Sequence, residues 1–294
     1  MIVGMEMIGA ILVYAVILGS LYLLISLGFS LICGVLGIFN LAYGITFVVA
    51  VYGMWFLMHA CGFALLPAIV GVFVLQFLFT LGIIYFPIVR KYMDQEDFLL
   101  TSLLLISLIV EEFVNYVYPI TAGVDIPTII LPGTIRLGPS TVPIQMLFII
   151  LFAIVTTFFF VIFLLKTRAG LKIRAVSQNT DGAQLMGVQV RRVYIGAMML
   201  AVVPPTVCMI VIAPVWCIQP TMGESLLQTG ILVTILGGLG NLRGTIISSF
   251  IVGFISSSIA FLVNPRLVSI AILIIVFLVL LFKPEGITKS ESLW

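Results

Sequence analysis

Along its 294 residues the chain alternates long apolar runs with short polar breaks. From Met7 to Val89 no Lys, Arg, Asp or Glu interrupts it, a stretch several times the roughly 20 residues that carry one helix across a bilayer. Glycines, prolines and charges divide the apolar runs into spans near Ile8 to Cys33, Leu41 to Met58, Phe63 to Phe86, Phe98 to Tyr118, Val142 to Leu165 and Val193 to Ala213. Three weaker ones follow near Ser225 to Leu242, Thr245 to Leu262 and Leu267 to Phe282. The pattern predicts an all-α polytopic membrane protein, a single transmembrane domain over residues 1–294. Nine helices are drawn in this way, and the glycine-rich region from Gly237 to Gly244, able to form a re-entrant turn, widens the range to eight to ten.

Composition agrees: 63% of residues are hydrophobic and the mean hydropathy is +1.36, more apolar surface than a water-soluble domain of this length hides in one core. The first residues, MIVGMEMIGA, lack the basic region and cleavage site of a secretory signal and read as part of the first span. Only 8% of residues are charged, yet six of the thirteen cations fall between Lys166 and Arg192, against one acid, Asp181. An excess of Lys and Arg marks the cytoplasmic side, so residues 166–192 read as a cytoplasmic loop. Arg90 with Lys91, and Lys283 with Lys289, fall on the same side, and an odd number of crossings places the N-terminus outside. Pro119 to Pro143 balances Asp125 against Arg136 and holds five prolines, which suits a stiff external loop.

The net charge of +2 reports this topology and carries no nucleic-acid signature. No GxxxxGK[ST] loop cradles a nucleotide. The four cysteines, Cys33, Cys61, Cys208 and Cys217, have no metal-binding spacing, and His59 stands without a second His or a carboxylate. The sequence therefore offers no catalytic residue, no metal site and no cofactor, and a membrane-embedded enzyme lacks its nucleophile, metal cluster or acid pair. Glu111 and Glu112 stand inside a span, where a carboxylate is costly and by default functional. Helical spacing puts Glu111 on one face with Ser107, Asn115 and Tyr118, so Glu111 and Asn115 are candidates to line a polar path. A self-sufficient secondary transporter or channel using Glu111 or Glu112 as an ion or proton site is the rival reading. Asn40 and Tyr43 follow the break at Gly37, beside backbone that a helix leaves unsatisfied. Gln76, Gln228 and Asn241 are further polar groups at membrane depth, of the kind that bridges helices. Two glycine-broken regions, around Gly28, Gly34, Gly37 and Gly44 and around Gly230, Gly237, Gly238, Gly240 and Gly244, have the interrupted form of a transporter's central site, or the small-residue form of close helix packing. Inside the loop, Asp181 and Gln184 have capping-box spacing and Gly187 offers a helix end, predicting a short helix from about Gly182 to Met186. Its Ala183 and Met186 would form one apolar face, suited either to a groove on another protein or to the membrane surface.

Several ordered blocks resemble one family, the membrane permeases of branched-chain amino acid ABC importers, and within it the shorter permease type. They are GSLYLLISLGFSLICGVLGIFNLAYG at Gly19 to Gly44, RAVSQNTDGAQLMGV at Arg174 to Val188, QPTMG at Gln219 to Gly223, GGLGNLRG at Gly237 to Gly244, and the ending LLFKPEGI. The resemblance implies a multi-pass subunit of a bacterial or archaeal plasma membrane, in contact with membrane lipid. It implies pairing with a second permease subunit, two cytoplasmic ATPases and an extracytoplasmic solute-binding protein. It makes the short helix a coupling helix through Arg174, Gln178, Asp181, Ala183, Met186 and Gly187, and it adds Asn40, Tyr43 and Gly44 to the solute pathway. NLAYGI carries Tyr43 where the family usually has His and Ile45 where it usually has Glu. The solutes of such permeases are branched-chain or other amino acids, urea, short amides or aromatic acids.

Overall fold

The computed structural model describes residues 2–93, 95–118, 133–137, 140–216 and 218–288. In chain order α1 (Ile2–Leu36) and α2 (Tyr43–His59) lead to α3 (Leu65–Phe79), which continues unbroken as a π-helical stretch (Thr80–Val89) and a last turn, α4 (Arg90–Tyr92). Then come α5 (Glu96–Val117), a hairpin of β1 (Thr134–Leu137) and β2 (Ser140–Pro143), α6 (Ile144–Lys166), α7 (Arg168–Gln178), α8 (Thr180–Leu185), α9 (Val190–Ala201) and α10 (Val203–Ile212). The chain closes with α11 (Met222–Gly237), α12 (Leu242–Leu262), a 3-10 turn (Pro265–Leu267) and α13 (Val268–Phe282).

Six helical stretches among the described residues are long and apolar enough to cross a membrane: Met7–Leu36, Leu65–Tyr92, Ile144–Lys166, Val190–Ile212, Leu242–Leu262 and Pro265–Phe282. The protein is a multi-pass membrane protein. α2 and α11 are apolar but shorter, at 17 and 16 residues, and α5 carries Glu96 and Asp97 in its first turn as well as Glu111 and Glu112. The span Val190–Ile212 is split at Val202, because Pro204 and Pro205 at the head of α10 cannot donate to the preceding turn.

α1 packs most extensively against α12, and small residues allow the approach. A Cβ on Gly253 would lie 2.6 Å from the Cα of Gly19, so the two backbones meet directly, as small-residue interfaces do in membranes. Serine and threonine then tie the helices: Thr245 donates to Ser30 Oγ at 2.9 Å, Ser257 to the Ile11 carbonyl at 2.8 Å and Ser248 to the Val233 carbonyl at 2.7 Å.

The first glycine-rich region is less broken than its composition implies. α1 runs through Gly28 and Gly34, and the helix ends only at Gly37, in the left-handed region at φ 68°. In the second region Gly237 ends α11, Gly238 and Gly240 turn the chain at φ 101° and 76°, and Asn241 caps α12 by accepting from Gly244 N at 3.1 Å. The C-terminal segment KPEGIT closes on this turn: Ile287 N donates to the Leu236 carbonyl at 2.8 Å and Thr288 to the Gly237 carbonyl. Two carbonyls orphaned by the end of α11 thus find partners.

Of the predicted loop from Pro119 to Pro143, Thr134–Leu137 and Ser140–Pro143 pair as the antiparallel strands, with Thr134 opposite Pro143, and Tyr14 of α1 reaches the Thr141 carbonyl at 3.4 Å. Residues 119–132, with Asp125, lie outside the described residues, as do Cys217 and Lys289.

Candidate functional site

A cavity of about 320 Å³ opens between α5, α11 and the start of α2. Leu104, Ser107, Leu108 and Glu111 line it from α5, and Glu224, Leu227, Gln228 and Ile231 from α11. Each set follows the 0, 3, 4, 7 spacing of one helical face. Gly44 and Leu41 form the end wall at the first turn of α2. Glycine is required there, because a Cβ on Gly44 would meet the Gly223 carbonyl oxygen at 2.7 Å and one on Gly223 would meet the Gly44 carbonyl at 2.5 Å. The chamber therefore gathers two carboxylates, an amide and a hydroxyl within apolar walls, and no cation is among its described lining residues. Glu111 is half-buried, while Glu224 and Gln228 are exposed on the mouth.

The start of α2 lies within the depth of the helix bundle. Tyr43, fully buried, packs its ring against Phe29 and Phe47 with centroids 5.7 and 5.5 Å away, and its hydroxyl donates to the Ala201 carbonyl at 3.5 Å. Ala201 is central to the span Val190–Ile212, so α2 begins beside the middle of a membrane-crossing stretch. α11 begins at the same level, since Gly223 of its first turn touches Gly44. Asn40 sets this entry: its Oδ1 accepts from Ala42 N at 3.1 Å and its carbonyl accepts from Tyr43 N at 3.0 Å.

Of the residues expected to line a polar path, Gly44 and Glu111 meet in the cavity. Asn40 and Tyr43 are buried behind it, the one a turn-former and the other a core side chain. Asn115 is exposed on α5 and, like Glu112, is not part of the cavity lining. Glu224 was not legible as a site residue. Its signal is the repeated spacing, Glu224 with Leu227, Gln228 and Ile231, which mirrors Leu104 to Glu111 on the partner helix.

The basic loop holds two helices where one was expected. α7 is amphipathic, with Ile173 and Val176 buried and Arg168 and Lys172 exposed. Thr167 caps it by accepting from Gly170 N at 2.9 Å. Arg174 lies on this helix and reaches the Leu165 carbonyl at 3.4 Å, and Gln178 ends it, exposed. α8 starts earlier than predicted. Its cap is Asn179, which accepts from Gly182 N at 2.7 Å, and Asp181 lies inside the first turn instead of capping it. Gly187 ends α8 as expected, at φ 79°. Val188 N bonds the Ala183 carbonyl at 3.0 Å and Gly187 N that of Gln184 at 2.9 Å, the paired bonds of a Schellman end. The expected apolar face does not form, because Ala183 is turned inward at 6% exposure whereas Met186 is 85% exposed. The apolar tip is instead Leu185 with Met186, the former 89% exposed.

Over residues 11–281 the chain matches the family described as branched-chain amino acid transport system / permease component. No curated protein and no solved structure matches it.

Proposed function

The chain belongs to the branched-chain amino acid transport permease family, and from that membership we propose that it is the translocating subunit of an ATP-driven importer for an amino acid with an apolar side chain. The observation that carries this reading is the cavity between Glu111 and Glu224. A zwitterion has three parts, and each has a counterpart there. The paired carboxylates suit an ammonium group. The first turns of α2 and α11 meet at Gly44 and Gly223, and helix N-termini carry partial positive charge that suits a carboxylate. Leu41, Leu104, Leu108, Leu227 and Ile231 suit an aliphatic side chain.

The open mouth supports a second permease subunit. Carboxylates facing lipid cost about 2.5–3.5 kcal/mol each at mid-depth, so Glu224 needs cover that a facing subunit supplies. α2, α5 and α11 then join the six longer stretches as crossings, nine among the described residues, with α7 and α8 on the cytoplasmic surface. α8 is the coupling helix: Leu185 and Met186 enter a cleft of the ATPase, and ATP-driven closure moves them with the bundle. Such coupling requires contacts that differ between the two ATPase states. An external binding protein delivers the solute.

Uptake of labelled leucine into proteoliposomes containing both permeases, the ATPase and the loaded binding protein tests this reading. Uptake that requires ATP and falls in a Glu111→Gln, Glu224→Gln variant is expected. Uptake driven by an ion gradient without the ATPase would overturn it in favour of a secondary transporter.

A further inference from the structure

A second and larger pocket, of about 760 Å³, lies between the end of the π-helical stretch and the start of α9, beside α8. Its wall is apolar, built from Phe86, Val190 and Ile195, and its rim carries Arg191 and Arg192 with Gln184. Phe86 and Ile195 lie inside the membrane-crossing stretches Leu65–Tyr92 and Val190–Ile212, and Arg191 and Arg192, both exposed, stand at the first turn of the second stretch. The Tyr85 hydroxyl donates to the Arg191 carbonyl at 3.3 Å and pins the two elements together. None of the described lining residues is acidic, so the positive charge at the rim is uncompensated by the pocket itself.

We propose that this pocket holds an anionic phospholipid, with its phosphate on Arg191 and Arg192 and the start of an acyl chain along Phe86 and Ile195. The two chemistries of the pocket are arranged as in a lipid, an apolar wall at membrane depth and a cationic rim where the spans end. Basic pockets between helices on the cytoplasmic side are suited to anionic headgroups. A zwitterionic headgroup brings its own cation to the rim and gains less. A free anion leaves the apolar wall unused.

Native mass spectrometry of the detergent-purified chain with added phosphatidylglycerol or phosphatidylcholine tests this. The wild type is expected to retain phosphatidylglycerol preferentially. Arg191→Gln with Arg192→Gln should weaken that retention about 25-fold, from about fivefold per arginine near an anionic surface. Arg191→Lys with Arg192→Lys should keep most of it and reports on a folded protein. Arg168→Gln with Lys172→Gln removes the same charge from α7 and should change nothing. Equal retention of the two lipids, an equal loss in the α7 variant, or displacement of the lipid by millimolar inorganic phosphate would each overturn the proposal. If the glutamine pair keeps its lipid but loses the copurifying ATPase, the pocket is a protein contact and the lipid assignment is wrong.

Discussion

The hydroxyl of Tyr43 donates to the main-chain carbonyl of Ala201 across 3.5 Å, and that carbonyl is available because Pro205, one turn on, has no N–H to give it. Gly28 makes room for the pair: a side chain there would collide with both the Ala201 carbonyl and the Tyr43 hydroxyl. One proline, one glycine and one phenol from three elements thus fix the entry of α2 beside the middle of a crossing span.

Tyr43→Phe leaves the Ala201 carbonyl buried without its partner, at a cost of about 1 kcal/mol, while the ring still packs. Gly28→Ala forces the α1 and α9 backbones apart, an overpacking worth about 1–3 kcal/mol. Thermal unfolding in detergent should therefore rank wild type above Tyr43→Phe and Tyr43→Phe above Gly28→Ala. Leucine uptake by folded Tyr43→Phe protein should match the wild type, since the side chain is not in the cavity. A transport defect with unchanged stability would return Tyr43 to the pathway.

Glu111 and Glu224 share one chamber, and Glu112 does not. A hydrogen bond to a charged group contributes about 1.5–3 kcal/mol, so Glu111→Gln or Glu224→Gln should lower leucine uptake at limiting solute about tenfold or more. Glu112→Gln should stay near wild type. Initial rates across a leucine concentration series separate weakened recognition from slowed turnover. A Glu112→Gln defect as large as that of Glu111→Gln would mean that the face assignment on α5 is wrong.

The bundle was legible from sequence because membrane spans declare themselves by length and lack of charge, and helices occupy each of the predicted apolar stretches. α7 was missed for the opposite reason. Its cations read as a polar loop, and only packing of Ile173 and Val176 reveals an amphipathic helix. Asp181 was expected to cap α8, but Asn179, two positions earlier, does so, because which of two good caps closes a helix depends on backbone geometry. Gly44 and Glu111 were legible singly, one by its family block and one by its cost in a membrane. That they meet, and that Glu224 joins them, is a fact of the third dimension.

Gln76 and Thr80 face inward one turn apart where α3 gives way to the π-helical stretch. Neither the Gln76 amide nor the Thr80 hydroxyl finds a hydrogen-bond partner among the described residues. A buried polar group without a partner costs about 1–3 kcal/mol. Gln76→Leu, close in size, is therefore expected to raise the melting temperature in detergent instead of lowering it. A lowered melting temperature would mean that bound water or a neighbouring subunit satisfies the amide.

The inward turn of Ala183 and the outward turn of Leu185 and Met186 separate stability from coupling within one short helix. Ala183 is 6% exposed, so Ala183→Leu overpacks the seat of α8 and should cost about 1–3 kcal/mol, visible as a lower melting temperature of the chain alone. Leu185→Ser with Met186→Ser touches residues that bury almost nothing in the chain itself, so its melting temperature should not move. Copurification with the ATPase, and leucine-dependent ATP hydrolysis in the reconstituted assembly, should both be lost, because the apolar tip is what a cleft on that partner would bury. The signature is a variant that inserts, folds and binds its permease partner yet hydrolyses no ATP in response to solute. Normal solute-stimulated hydrolysis in the double serine variant would remove α8 as the coupling element and leave α7, with Arg174 and Gln178, as the part of the basic loop left to carry that role.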